Sequence, residues 1–150
     1  MSVRKQHAYE VALRMARVKE LQAQMALAES VDKEGAARQR METVDAAREK
    51  VALAAQACAA QAQGIDLARY ELLTQLSLVL TDHLQVASDA CEQASLQRAE
   101  KAAENLMAKR HRERVHEHLD SVRLALVHAR AAKALEEGVE LWLESRAEES

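Results

Sequence analysis

The stretch Ala60-Gln-Ala-Gln-Gly64-Ile65-Asp66 divides the chain into two long helical segments. Gly64 is the strongest helix breaker in a sequence that has no proline and only 3 glycines, because glycine readily adopts the left-handed conformation that ends a helix. Asp66 belongs to the residue types that cap a following helix. We therefore predict helix 1 over about residues 3–62, a turn at 63–66 and helix 2 over about 67–146.

The composition on both sides of this turn favours helix. Aromatic residues make up only 2% of the 150 residues, and the 49% hydrophobic content is mostly alanine, leucine and valine. Alanine buries little area, which suits a narrow seam between two close helices, and alanine and leucine are also strong helix formers. With 30% charged residues, this composition is typical of a coiled coil. Disorder is the alternative, but disordered chains usually contain more breakers and fewer aliphatic residues.

Apolar residues recur at alternating spacings of three and four, which is the heptad pattern of a coiled-coil seam. In helix 1 the pattern covers Met41, Val44, Arg48, Val51, Ala55, Cys58, Ala62 and Ile65. In helix 2 it covers Tyr70, Leu73, Leu76, Leu80, Leu84, Ala87, Cys91 and Ala94, then Val115, Leu119, Val122, Leu126 and Ala129. Earlier in helix 1, Val11, Val18 and Met25 repeat in a different phase, so we expect a phase slip with a mild bend near Gly35.

Two long helices joined by one short turn must run antiparallel, so the predicted fold is an all-α, two-helix coiled-coil hairpin. At 1.5 Å per residue the arms would be about 90 Å and about 120 Å long. Residues beyond roughly 125 then have no partner helix. That segment is nonetheless apolar on one face, through Leu126, Leu135, Val139, Trp142 and Leu143, and an unpaired apolar face usually indicates an external partner.

No motif for catalysis, a cofactor or a metal ion is present, so we expect a protein that is not an enzyme. His111 and His118 share a helix face but lie about 10 Å apart, too far to bind one ion together. The basic run from Lys109 to Arg114 lacks interleaved aromatic residues, and the net charge of −3 gives no reason to expect nucleic acid. The two cysteines are interpreted as small seam residues, reduced in the cytoplasm, and no segment predicts membrane insertion.

The turn and the start of helix 2 resemble the FliJ/YscO family of cytoplasmic coiled-coil proteins from type III secretion systems. The resemblance lies in Gly64-Ile65 and in Tyr70-Glu71-Leu72-Leu73-Thr74-Gln75-Leu76, and in Ala134-Leu135-Glu136-Glu137 near the last residues. Length, helix count and turn position also fit. The aromatic residues that the family often has in the middle of the second helix are absent here.

The resemblance implies a central stalk that enters the pore of the hexameric export ATPase and links it to the export gate protein, outside the membrane-embedded apparatus. Binding of secretion chaperones is a further property that it implies. The export-gate-binding residues would be Tyr70, Leu73, Leu76 and Leu80. The ATPase-binding residues would be Arg4, Lys5, Arg14, Arg17, Leu126, Leu135, Val139 and Trp142.

Two alternatives do not depend on the resemblance. One is a generic coiled-coil chaperone or adaptor, and the other is a structural dimer whose helices pair between chains. The residues 1–19 are mainly basic, whereas those from Glu136 onward are mainly acidic. Ordinary solvated helix faces would also account for these charges.

Overall fold

In a computed structural model, which describes residues 2–61 and 63–149, the chain forms two long helices and the described part contains no strand. Helix α1 spans Ser2–Ala59 and helix α2 spans Leu67–Glu149. The two helices pack against each other, which confirms the predicted all-α class. Compact unit 1 comprises the described residues of Met1–Ala23 and Asn105–Ser150, and unit 2 is Gln24–Glu104. Each unit contains one antiparallel segment of each helix.

The connection between the helices lies within unit 2 and uses the residues that the sequence indicated. Gly64 has a positive φ of 109°, a conformation that side chains with a Cβ rarely adopt. The Asp66 carboxylate accepts a hydrogen bond from the backbone N–H of Arg69 at 3.2 Å, so it caps the first turn of α2. Helix α1 ends at Ala59. Of the two last predicted seam positions, Ala62 lies outside the described residues and Ile65 is exposed, so its assignment was wrong.

A seam of buried and half-buried residues at heptad spacing runs along α1. It contains Gln6, Tyr9, Leu13, Ala16, Glu20, Ala23, Leu27, Ser30, Glu34, Ala37, Met41, Val44, Arg48, Val51, Ala55 and Cys58. The predicted phase slip near Gly35 is therefore wrong. Val11, Val18 and Met25 are instead exposed, because polar residues such as Glu20 and Glu34 occupy seam positions that an apolar pattern does not reveal.

Helix α2 has a matching seam that ends at Leu126. It contains Leu73, Ser77, Leu80, Leu84, Ala87, Cys91, Ala94, Arg98, Lys101, Asn105, Ala108, Arg112, Val115, Leu119, Val122 and Leu126. Within unit 1, Leu119 is fully buried, and burial of a leucine side chain stabilises a fold by about 1.5–3 kcal/mol. Leu126 is only 9% exposed. This confirms its predicted seam position and shows that its assignment to the unpaired segment was wrong.

Candidate partner-binding surfaces

Residues 127–149 of α2, which we call the distal segment, are all exposed. Leu135 is 71% exposed, Val139 50% and Trp142 56%. These three residues recur at spacings of four and three, so they share one face of the helix. Glu136 and Glu140 border this face. The distal segment therefore presents an apolar stripe with an acidic edge to solvent.

Although the distal segment is exposed, it is helical as far as Glu149. Its sequence is rich in alanine, leucine and glutamate, which favour helix. Arg146 lies over the Trp142 ring, with its guanidinium carbon 4.9 Å from the ring centroid. This cation–π contact orients Trp142 along the helix but leaves it more than half exposed. The segment is thus a preformed helix, so binding a partner would cost it little conformational entropy.

Unit 1 is held in register by charged pairs between its two helices. Glu20 accepts a hydrogen bond from Nε of Arg112 at 2.5 Å, and this bond raises the pKa of the Arg112 guanidinium. Glu10 accepts hydrogen bonds from Gln6 at 3.1 Å and from Arg123 at 3.4 Å. The bond from Gln6, with that from Arg123, lowers the pKa of Glu10.

Unit 2 has an equivalent pair at Glu34, which is 8% exposed. Its carboxylate accepts hydrogen bonds from Nε of Arg98 on α2 and from Arg38 of its own helix, the latter at 3.0 Å. Sequence reasoning recognised Arg48 as a polar seam residue but missed Glu20 and Glu34. One signal was available, since Glu20 and Glu34 are two heptads apart and so are Arg98 and Arg112.

The basic residues predicted to bind an ATPase, Arg4, Lys5, Arg14 and Arg17, are exposed on the α1 segment of unit 1. They belong to the same unit as the distal segment. Arg14 borders a shallow apolar recess that is lined by Met15, Val18, Lys19 and Gln22. The exposed Val18 and its neighbours thus form an apolar strip between cations.

Lys19 also lines a second shallow recess, in which α2 contributes Met107, Ala108, Arg110, His111 and Arg114. The two recesses therefore adjoin across both helices of unit 1. We call this surface the basic face, defined by Arg14, Met15, Val18, Lys19, Met107, Arg110 and Arg114. Sequence reasoning had weighed Lys109–Arg114 only as a nucleic-acid site and had assigned Val18 to a seam. Met15 and Met107 entered no prediction.

The predicted gate-binding residues divide between two environments in unit 2. Leu73 and Leu80 are half-buried seam residues, whereas Tyr70 and Leu76 are 39% and 43% exposed. An exposed stripe at heptad spacing runs beside the seam and contains Leu72, Leu76, Val79 and Val86. We call it the unit 2 stripe, and it ends at a recess that includes Val44 and His83. Of the predicted set, only Leu76 belongs to this stripe.

No family model matches the chain. Comparisons with curated proteins and with solved structures also gave no match. Within the described residues, no group of three or more histidine, cysteine, aspartate or glutamate side chains is arranged to hold a metal ion. No helix in the same part of the chain combines the length and apolar character needed to cross a membrane. Cys58 is buried and Cys91 half-buried, and both are free thiols.

Proposed function

We propose that the chain is a protein-binding coiled coil that links two partners and performs no catalysis itself. The observation that carries this proposal is the distal segment, a preformed helix with an exposed apolar stripe. The unit 2 stripe supplies a second exposed apolar surface, and contiguous surfaces of this kind usually bind other proteins. A linker of two partners needs two such surfaces on one chain.

In its specific form, the proposed linker is the central stalk of a type III secretion export apparatus, as the resemblance to the FliJ/YscO family implies. Its first partner is the hexameric export ATPase, bound by the distal segment with the exposed cations Arg4, Lys5, Arg14 and Arg17. Leu126 supports this surface from within the seam and does not itself contact the partner. The stalk would work in the cytoplasm, beside the membrane-embedded apparatus.

The second proposed partner is the export gate protein, bound by unit 2. Tyr70 and Leu76 are exposed there, and the unit 2 stripe extends their apolar surface. Leu73 and Leu80 would position the binding helix through the seam. Secretion chaperones are further candidate partners for the same exposed apolar residues.

A binding measurement with the purified hexameric export ATPase tests the first contact. Leu135→Ala combined with Trp142→Ala should weaken binding by roughly a hundredfold or more, since each side chain loses on the order of 1.5 kcal/mol or more of burial in the complex. Leu53→Ala combined with Leu78→Ala is the matched control, because both leucines are 64% exposed but lie in unit 2. No binding by the wild type would reject an ATPase as the partner. Equal binding by all three proteins would reject the distal segment as the surface that binds it.

The second candidate function is a general adaptor or chaperone. The separation of the two exposed surfaces into different units favours it, because an adaptor needs two independent binding sites. Two experiments that capture the proteins bound by each variant separate the functions. One uses Leu135→Ala combined with Trp142→Ala, and the other uses Leu72→Ala combined with Val79→Ala. An adaptor should lose different client proteins in the two experiments and bind no hexameric ATPase in either.

A further inference from the structure

The basic face and the distal segment of unit 1 carry opposite charges beside similar apolar groups. On the basic face, Met15 is 58% exposed, Val18 54% and Met107 68%. On the distal segment, Leu135, Val139 and Trp142 are exposed to a similar degree. We propose that the distal segment of one chain docks on the basic face of a second copy of the same chain.

The charges of both surfaces are available for this contact. Of the ion pairs within the described residues, none involves Arg14, Lys19, Arg110 or Arg114. The same holds for Glu136, Glu137, Glu140 and Glu144 of the distal segment. By contrast, Glu10 and Glu20 of unit 1 are already paired with arginines of α2.

The spacing of these charges is also complementary. Arg110 and Arg114 are four residues apart on α2, and so are Glu136 and Glu140. Residues four apart lie one above the other on a helix, about 6 Å along its axis. Two antiparallel α2 helices can therefore bring the glutamate pair of one chain beside the arginine pair of the other.

The distal segment cannot reach the basic face of its own chain. Arg114 and Glu136 belong to the same uninterrupted helix, so their backbones are held about 33 Å apart at 1.5 Å per residue. A fold-back would require the helix to break, and neither proline nor a positive φ occurs within α2. An acidic helix that docks on the basic face must then come from another molecule, and a second copy carries such a helix.

A twofold axis would let each chain donate its distal segment and receive that of the other. Both contacts then form together, and no distal segment or basic face remains open for further chains. The dimer covers the apolar stripe that we propose binds a partner, so the partner and the second copy compete for it. The inference itself does not depend on which partner is correct.

Sedimentation of the full chain at low ionic strength, without any other protein, tests this docking. We expect a mass twice the 16.7 kDa of one chain, with dissociation as salt screens the charges. Arg110→Glu with Arg114→Glu should give a monomer, and Glu136→Lys with Glu140→Lys should do the same. Circular dichroism should show unchanged helix content, because these side chains lie outside the seam.

Mixing the two charge-reversed variants in equal amounts is the decisive step. Each variant repels itself, but each distal segment in the mixture finds a face of opposite charge, so the double mass should return. A monomeric wild type overturns the proposal, as does a dimer that survives both reversals or a mixture that stays monomeric. ATPase binding is measured in a separate experiment, so a failure of this docking can be told apart from a failure of the proposed function.

Discussion

Glu34 of α1 and Arg98 of α2 form an ion pair in the seam of unit 2, where Glu34 is 8% exposed. Arg98 reaches the carboxylate from the opposite helix, and Arg38 binds it from the next turn of α1. The arginine can bind this carboxylate only when the two residues lie directly opposite each other across the seam. Such a pair selects one register of two helices whose alanine-rich seams would tolerate others.

Replacing Glu34 with alanine should destabilise the protein by roughly 1–3 kcal/mol, because it leaves Arg98 partly buried without its carboxylate. Urea unfolding followed by circular dichroism measures the change. Glu29→Ala is the control, since Glu29 and Lys33 form a surface pair with 69% and 67% of their side chains exposed, and its effect should stay below about 0.5 kcal/mol. Equal effects of the two substitutions would show that the seam pair is not structural.

Leu119→Ala should destabilise the protein by about 2–5 kcal/mol, because it removes the apolar contacts of a fully buried side chain and leaves a cavity. Leu124 lies on the same helix of unit 1 but is 58% exposed. Leu124→Ala should therefore change the unfolding midpoint only slightly. Similar losses of stability for both variants would contradict the assignment of Leu119 to the buried seam and of Leu124 to the exposed surface of unit 1.

The stability of the protein should fall in acid partly through Glu10. Its pKa lies below the ordinary value of 4.5, chiefly because Gln6 donates a hydrogen bond to it, with Arg123 as a second donor. A carboxyl group with a lowered pKa in the folded state contributes stability above its unfolded pKa, and loses it as the pH falls through the folded value. Thermal unfolding between neutral pH and pH values below 4.5 should show a smaller acid-induced loss for Glu10→Gln than for the wild type. If Glu10→Gln loses as much thermal stability in acid as the wild type, the Glu10 carboxylate does not contribute to the pH dependence of stability.

Gly64→Ala should destabilise the connection by about 1 kcal/mol, because the positive φ strains any residue with a Cβ. Gly138 lies inside α2, where a methyl group in place of its hydrogen would meet no heavy atom within 4 Å. Gly138→Ala should accordingly raise helix stability by about 0.5–1 kcal/mol. Urea unfolding should therefore show changes of opposite sign in the free energy of unfolding for the two glycine-to-alanine substitutions. A stabilising Gly64→Ala would mean that the connection does not need its left-handed conformation.

The turn and helix class were predictable because they depend on local chemistry. Gly64 and Asp66 act through backbone conformation and a hydrogen bond three residues away, and helix propensity belongs to each residue separately. The seam of α1 between Met41 and Cys58 was also predictable, since apolar residues dominate it. Further towards the start of α1 the apolar pattern was misleading, because Val11, Val18 and Met25 face solvent.

The sequence by itself determined that the chain is helical, where it turns, and that part of α2 lacks a neighbouring helix. Tertiary structure alone decided that Glu20 and Glu34 belong to the seam, because they become favourable there only when Arg112 and Arg98 lie opposite. It also decided that Leu126 is buried and that Met15, Val18 and Met107 are exposed among cations. Both depend on the register of two helices distant in sequence, which no local propensity encodes.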